Sequence, residues 1–194
     1  MKVIATRDGE KKKEYELVEL LEGKPTKFHT KFSVSYTEEK VCFHFVSSYM
    51  GALNCPYSGE NEPVWRGDTV EVFISPFGKM GEYFEFDVAP NLSYYYCHIL
   101  NPDGKTAYNH VLDDEPSAES IVKDGVWEAI IEVPFEIMLK ENAGDFKKIS
   151  WKMNAYRYDA INGEYCALAP TGVENFHMRL LLNGFRIPRG YPWL

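Results

Sequence analysis

The feature that most constrains the fold is an alternation of apolar and polar side chains in short runs along the chain. The clearest run is residues 68–74, where aliphatic side chains alternate with Thr69, Glu71 and Phe73. A period of two indicates a β-strand, because successive side chains leave opposite faces of the pleated backbone. About ten such runs, divided by turn-forming residues, predict an all-β fold, an antiparallel β-sandwich of immunoglobulin-like or jelly-roll-like type.

The runs also predict how the chain is divided. The predicted strands are residues 16–21, 31–36, 40–48, 68–74, 83–89, 92–100, 125–133, 149–159, 165–169 and 180–185. One short helix is predicted near residues 134–141, where Phe135, Met138 and Leu139 share one helix face behind a proline. No linker-like stretch interrupts the chain, so residues 1–194 are predicted to be a single domain with an irregular tail at 186–194.

Charge and hydropathy indicate which classes of binding partner the protein is not expected to have. The formal net charge is −8 at pH 7. The one basic run, residues 11–13, is bracketed by Glu10 and Glu14. Nucleic-acid binding needs clustered lysine and arginine, so no nucleic-acid partner is expected. No apolar run is long enough to cross a bilayer and the N-terminus lacks a signal-peptide core, so no membrane partner is expected.

The four cysteines are Cys42, Cys55, Cys97 and Cys166, and they are widely spaced. None of them forms a Cys-x-x-Cys pair, so the sequence signals neither a zinc site nor a redox motif. Buried free thiols are common within strands. We therefore expect reduced thiols and a cytoplasmic protein.

A long loop, residues 48–67, delivers Trp65 to the start of the strand that contains Glu71. Loops of this length without their own structure are often functional. A flat aromatic ring beside fixed polar groups suits a sugar, because a pyranose offers an apolar face for stacking and a rim of hydroxyl groups. The alternative is that Trp65 covers one end of the β-core, and the loop itself does not decide between the two.

A second carboxylate, Glu85, belongs to the next predicted strand. If the strands at 68–74 and 83–89 pair through the short turn between them, Glu71 and Glu85 lie on the same polar face. Retaining glycosidases use two carboxyl groups about 5 Å apart. A glycoside hydrolase-type enzyme that uses Glu71 and Glu85 is therefore one alternative function.

Five segments, taken together, resemble family 9 carbohydrate-binding modules and their DOMON-like relatives over about residues 15–185. The segments are residues 63–76 (PVWRGDTVEVFISP), 83–90 (YFEFDVAP), 127–134 (WEAIIEVP), 151–157 (WKMNAYR) and 175–177 (NFH). The resemblance implies a β-sandwich that holds the end of a sugar chain between two tryptophans, with acid, amide and guanidinium groups on the hydroxyls. It favours a non-catalytic carbohydrate-binding protein with a mono- or oligosaccharide as ligand, no catalytic residue, and an oligomeric state left open.

The resemblance assigns roles to individual residues. Trp65 matches the first stacking tryptophan, and Glu71, six residues on, matches the acid that binds hydroxyl groups. Glu85 falls near the position at which sugar-binding members have an arginine. Asn154 falls near a polar amide, and Asn175 near the asparagine that precedes the second tryptophan.

The second tryptophan of the family is absent from this chain. Phe176, His177 and Met178 stand at its position. With Arg157 as the guanidinium contact, the predicted ligand-binding residues are Trp65, Glu71, Glu85, Asn154, Arg157, Asn175 and His177. The alternative for Arg157 is a structural ion pair with Glu71 on the polar face of the sandwich.

The same resemblance raises two cofactor questions. Family members contain structural calcium, whose ligands cannot be placed in this sequence. DOMON-like relatives include haem-binding proteins with methionine and histidine axial ligands. His44, His98, His177 and Met153 are the candidates here, but no spacing selects a pair. We expect no cofactor, and a haem- or redox-binding domain stays as a further alternative function.

Overall fold

The computed structural model describes residues 2–76, 78, 81–101, 108–177 and 183–188, which form two β-sheets packed face to face. The strands are β1 (Lys2–Ile4), β2 (Thr6–Arg7), β3 (Glu14–Glu16), β4 (Val18–Glu19), β5 (Thr30–Tyr36), β6 (Lys40–Ser48), β7 (Thr69–Ser75), β8 (Glu82–Val88), β9 (Tyr94–Leu100), β10 (Tyr108–Val111), β11 (Ser117–Lys123), β12 (Val126–Pro134), β13 (Trp151–Asp159), β14 (Glu164–Ala167) and β15 (Asn183–Arg186). Helix α1 (Phe135–Leu139) continues into a 3-10 helix, Lys140–Lys148, and a 3-10 turn, Val64–Arg66, precedes β7. Within these ranges, no helical segment reaches the length and apolar character that a bilayer crossing requires.

The first sheet has the order β1-β15-β13-β7-β8-β9-β10, with β14 beside β13 and β4 beside β14. The second sheet has the order β11-β12-β6-β5-β2, with β3 beside β5. The predicted β-sandwich is therefore confirmed, with one difference. The short strands β1 and β2 pair in parallel with β15 and β5, whereas the other recorded pairs are antiparallel.

The main core lies between the two sheets and is built by the alternation that the sequence shows. On β7, the aliphatic side chains Val70, Val72 and Ile74 are wholly buried in this core. Phe43 on β6 and Trp127 on β12 meet them from the second sheet. Burying a side chain of this size stabilises the fold by about 1.5–3 kcal/mol, so these strands hold the sandwich together.

The opposite face of the first sheet is also covered. All seven residues of β7 are buried, including the polar positions between the aliphatic ones. A second apolar cluster covers this outer face and includes Phe73, Tyr83, Tyr95 and Tyr156. Because loops close over this face, polar side chains of β7 and β8 that would ordinarily be solvated lie in a shielded environment.

Several element boundaries differ from the sequence predictions. The helix predicted at 134–141 is the five-residue α1. Strands β10 and β11 were not predicted, because β10 is exposed along its length and β11 lies at a sheet edge, so neither shows a clear apolar alternation. The final strand, predicted at 180–185, is β15, and residues 180–182 lie outside the described part of the chain.

Candidate functional site

A cavity of about 390 Å³ opens on the outer face of the first sheet. Side chains from β7, β8, β9, β10, β13 and β14 line it, together with the 3-10 turn before β7 and the segment after β14. Five of the lining side chains are aromatic: Trp65, Tyr95, Tyr158, Tyr165 and Phe176. The cavity volume lies within the range of small-molecule sites, about 300–1,000 Å³.

Trp65 stands at the mouth of this cavity on the 3-10 turn. Its neighbour Val64 is 1% exposed and enters the second apolar cluster, whereas Trp65 keeps 40% of its surface exposed. The indole ring contacts Tyr95 edge-on, with ring centroids 4.8 Å apart and planes at 70°. Val64 therefore anchors the turn, and Trp65 is left open to a ligand.

Close packing behind the turn fixes the position of Trp65. A Cβ atom on Gly67 would lie 2.4 Å from Pro56 Cδ and 2.5 Å from the backbone oxygen of Asn54. The neighbouring Asp68 ties the same segments together, because its carboxylate accepts from the Asn54 amide at 2.6 Å and from the Ala160 amide at 3.2 Å. Only glycine fits at position 67 without moving the turn.

Gly67→Ala is therefore expected to displace the turn, to lower the free energy of unfolding by about 1–3 kcal/mol, and to weaken any ligand contact with Trp65. Urea unfolding and a binding titration measure the two effects. Gly144→Ala is the matched control, since no atom lies within 4 Å of the added Cβ there. Equal stability of the two variants would contradict this account of the turn.

Three carboxyl groups form the floor of the cavity and the layer below it. Glu71 on β7 pairs with Asp87 on β8, and Glu85 lies two residues before Asp87 on the same face. One oxygen from each lies within 4.8 Å of the others, and the three residues are 2%, 0% and 4% exposed, respectively. Glu71 and Glu85 thus share a face, as predicted, and both line the cavity.

Burial dominates the protonation of this acid group, Glu71, Glu85 and Asp87. It raises the pKa of Glu71 well above its ordinary value, and repulsion from Glu85 adds to the effect. Burial raises the pKa of Glu85 to about 7, partly offset by hydrogen bonds with Asp87 and Cys97. Burial, then the charges of Glu85 and Glu71, raise the pKa of Asp87. The group therefore retains at least one proton near neutral pH.

This protonation predicts a pH dependence of stability. The unfolded acids are ionised above their ordinary pKa values of 4.5 and 3.8, whereas the folded group still holds protons near pH 7, so its stabilising contribution is lost as the pH rises. From pH 6.5 to 8.0, the free energy of unfolding should fall by up to about 2 kcal/mol per retained proton. Thermal melts should show a smaller fall for Asp87→Asn. A wild-type stability that rises over this window would contradict the prediction.

His177 closes one side of the cavity as a neutral ring. Its Nδ1 forms a hydrogen bond of 2.7 Å with the Tyr83 hydroxyl. Burial lowers the pKa of His177 to about 4, so the imidazole is uncharged at neutral pH. Its distance of 4.0 Å to the Glu85 carboxylate is therefore not an ion pair, and His177 does not neutralise the acid group.

Phe176 occupies the cavity where the family resemblance would place the second tryptophan. Its ring stacks on Tyr156 at 4.2 Å, and its backbone oxygen accepts from the Tyr156 hydroxyl at 3.0 Å. The Tyr165 ring meets Phe176 edge-on at 5.7 Å. Asn175 lines the cavity, and its side-chain oxygen accepts from the His177 amide at 2.8 Å. Met178 lies outside the described residues.

Further lining residues were not identified from the sequence. Tyr158 and Tyr165 face each other across the β13–β14 pair and stack at 4.6 Å. Asn109 on β10 donates to the Tyr95 hydroxyl at 3.2 Å. Glu174 lies exposed at the rim. The turn between β13 and β14 is readable in the sequence, and it is the signal that places the two tyrosines side by side.

The structure does not bring two of the predicted contacts to the cavity. Asn154 is wholly buried, and its side-chain amide is engaged with the backbone of Ala169 in both directions. Arg157 leaves the opposite face of β13, toward the main core, and donates to Thr30, to the Ser48 carbonyl and to Asp159. An ion pair between Arg157 and Glu71 is not formed, because strand alternation directs the two side chains to opposite faces of the sheet.

The four candidate haem ligands are spread over the fold. His44 lies on the outer face of the second sheet, 2.6 Å from Glu128. Met153 is buried between the sheets, and His98 stacks on Phe84 at 4.7 Å on the same face of the first sheet. Strands β7 and β8 lie between these two, a separation of about 14 Å at the usual strand spacing. His177 lies on the other face, so no two of the four meet.

The fold is similar to that of solved carbohydrate-binding structures. A candidate carbohydrate-binding protein from Bacteroides uniformis ATCC 8492 superposes with a TM-score of 0.79 at 16% identity, covering 96% of this chain and 99% of that one. A carbohydrate binding module family 9 domain from Caldicellulosiruptor kristjanssonii in complex with glucose gives a TM-score of 0.61 at 10% identity, covering 100% and 99%. A structure of such a domain from the same organism, in complex with cellotriose, gives a TM-score of 0.63 at 9% identity, covering 99% of this chain and 96% of that one.

Sequence comparisons do not assign the chain to a family. No family model matches the chain, and no curated protein matches it. At identities of 9–16% the structural similarities establish the architecture and not the ligand. The chain therefore has the β-sandwich fold of family 9 carbohydrate-binding modules.

Proposed function

We propose that this protein binds a saccharide in the cavity beside Trp65 and does not cleave it. The observation that supports this most strongly is the presence in one cavity of an exposed indole, Trp65, and a carboxyl oxygen, Glu71 Oε1, for which the described residues offer no hydrogen-bond partner. The fold adds support, because domains of the same architecture bind glucose and cellotriose.

The cavity offers what a pyranose ring requires. Trp65 provides a flat apolar surface for the C–H face of the sugar, and Glu71 and Glu85 accept hydrogen bonds from its hydroxyl groups. Asn109 on β10 and Asn175 after β14 add side-chain amides to the lining. Asn154 and Arg157 are not included, because both are engaged elsewhere in the fold.

Calorimetric titration of a saccharide panel tests the proposal. We expect saturable heat with at least one of glucose, galactose, xylose, cellobiose and cellotriose, with affinity in the weak range typical of a single open site. Absence of binding by every member at millimolar concentration would contradict it.

The acid group argues for binding without hydrolysis. A retaining glycosidase needs one protonated acid and one ionised nucleophile on either side of the scissile bond. Glu71 and Glu85 have oxygens within 4.8 Å of each other, close to the separation of a retaining pair. They project from neighbouring strands on one floor, however, and do not face each other across a scissile bond. We expect no release of chromophore from a panel of aryl glycosides. Turnover that disappears in Glu85→Gln would show that the protein is an enzyme.

A further inference from the structure

In the part of the chain that the structure describes, carboxyl groups are the only side chains that can charge the cavity near neutral pH. Glu71 and Glu85 line its floor, an Asp87 oxygen lies within 4.8 Å of an oxygen of each, and Glu174 stands at the rim. None of the described lining side chains is lysine or arginine, and His177 is uncharged. A site for a neutral sugar has no need of three neighbouring carboxyl groups, which repel one another when ionised.

The acid group also has unused hydrogen-bonding capacity. Glu71 Oε1 is buried and has no hydrogen-bond partner among the described residues. Buried polar atoms in native proteins are almost always paired, and an unpaired one calls for an explanation. A ligand group that brings both hydrogen-bond donors and a positive charge would satisfy this oxygen better than a hydroxyl group can.

The walls of the cavity decide which kind of positive charge fits. Rings such as Trp65, Tyr95 and Tyr165 attract an organic cation within about 6 Å of a ring face. A calcium ion is bound by six to eight oxygen ligands, and aromatic rings do not coordinate it. An ammonium group needs only two or three acceptors, which Glu71 and Glu85 provide at the floor.

We infer that the cavity prefers a saccharide bearing a free amino group, with the ammonium seated at Glu71 and Glu85 and the sugar ring against Trp65. This inference rests on the proposed function and specifies its ligand class as amino sugars. Asp87 lies outside the lining and acts through the charge that it adds beneath the two glutamates.

The test compares ligands that differ in one group. Calorimetry at pH 7.0, near the pKa of Glu85, in EDTA and low salt, measures D-glucosamine against D-glucose and N-acetyl-D-glucosamine, and a β-1,4-linked glucosamine trisaccharide against cellotriose. We expect each free amine to bind at least about tenfold more tightly than its hydroxyl counterpart, and acetylation to remove the gain. The gain in affinity from the amino group should shrink in 0.5 M NaCl, because salt screens charges. This measurement uses the unmodified protein.

Two variants locate the effect. Glu85→Gln keeps the shape of the side chain and should bring the ratio of amine to hydroxyl affinity close to one. Asp124→Asn, at an exposed acid outside the cavity, should leave the ratio unchanged. A circular dichroism spectrum confirms that each variant is folded, and the salt series on the unmodified protein serves if Glu85→Gln is not.

Each other outcome overturns the inference. Equal affinities for glucose and glucosamine leave the proposed function standing without the amino preference. No binding of any sugar removes both. Calcium that raises the affinity for neutral sugars assigns the acids to a metal instead. Arg179 lies outside the described residues, and an amine preference seen only in Arg179→Gln would mean that the chain itself supplies the cation.

Discussion

Replacement of Trp65 by alanine is expected to reduce saccharide affinity by about tenfold to a hundredfold, because stacking of a ligand ring on an aromatic side chain contributes about 1–3 kcal/mol. The fold should tolerate the change. Trp65 is 40% exposed, and the buried neighbour Val64 keeps the turn attached to the sheet. The loss should therefore appear in binding and not in the melting temperature.

Calorimetry on the saccharide that binds best provides the measurement, and Tyr108→Ala provides the control. Tyr108 is an exposed aromatic on β10 that does not line the cavity, whereas its neighbour Asn109 does. The control variant should bind within about twofold of the unmodified protein. If Trp65→Ala binds as tightly as the control, Trp65 is not the platform for the sugar.

Replacement of Arg157 by alanine is expected to have the largest effect on stability, about 3–5 kcal/mol, because it removes a buried cation from a hydrogen-bonded group. The Arg157 guanidinium is wholly buried and donates to Thr30 Oγ1 at 3.1 Å and to the Ser48 carbonyl at 2.9 Å. Both partners belong to the second sheet, whereas Arg157 belongs to the first. The side chain thus joins the two sheets, and its removal leaves the buried Asp159 without this partner.

Urea unfolding followed by tryptophan fluorescence measures this loss. Arg157→Lys should lie between the wild type and alanine, because lysine keeps the charge but has one nitrogen, whereas Arg157 uses Nη1 for Thr30 and Ser48 and Nη2 for Asp159. Arg66→Ala, at an exposed arginine, should change the free energy of unfolding by less than about 0.5 kcal/mol. A loss below about 1 kcal/mol for Arg157→Ala would contradict the structural role.

The sandwich was predictable from the sequence because its central strands alternate clearly. In β6, Val41, Phe43 and Phe45 stand at every second position, and β7 has the same spacing of aliphatic residues. That pattern identifies the side chains that enter the main core. Strands β1 and β2 were missed, because two or three residues show no period and their parallel pairing needs no turn signal. Edge strand β11 was missed because none of its residues is buried, so its sequence shows no apolar alternation.

The site was predictable only where its residues follow a local pattern. Trp65 and Glu71 stand six residues apart at one loop and strand, and Glu85 follows on the paired strand. Asp87 shares the alternation of Glu85, but its contact with Glu71 depends on the strand register, which sequence alone does not determine. The turn between β13 and β14 is the signal that could have placed Tyr158 beside Tyr165, whereas Asn109 comes from the exposed edge strand β10 and shows no local signal.

Arg157 shows why polar residues in strands are easily misplaced. On β13, the alternation puts Met153 and Arg157 on the inner face and Asn154 and Tyr158 on the outer one. A charged residue on an inward position breaks the rule that links polarity to exposure, and its partners, such as Thr30, come from the other sheet. Recognising that Arg157 is a structural residue therefore requires the packed sandwich.

A crystal structure with a bound saccharide tests the central claim most directly. Crystals soaked in the saccharide with the highest calorimetric affinity should show its ring against Trp65, in van der Waals contact, with a hydroxyl or amino group within hydrogen-bond distance of Glu71 or Glu85. Density for the sugar at another surface, with the cavity beside Trp65 empty, would contradict the account.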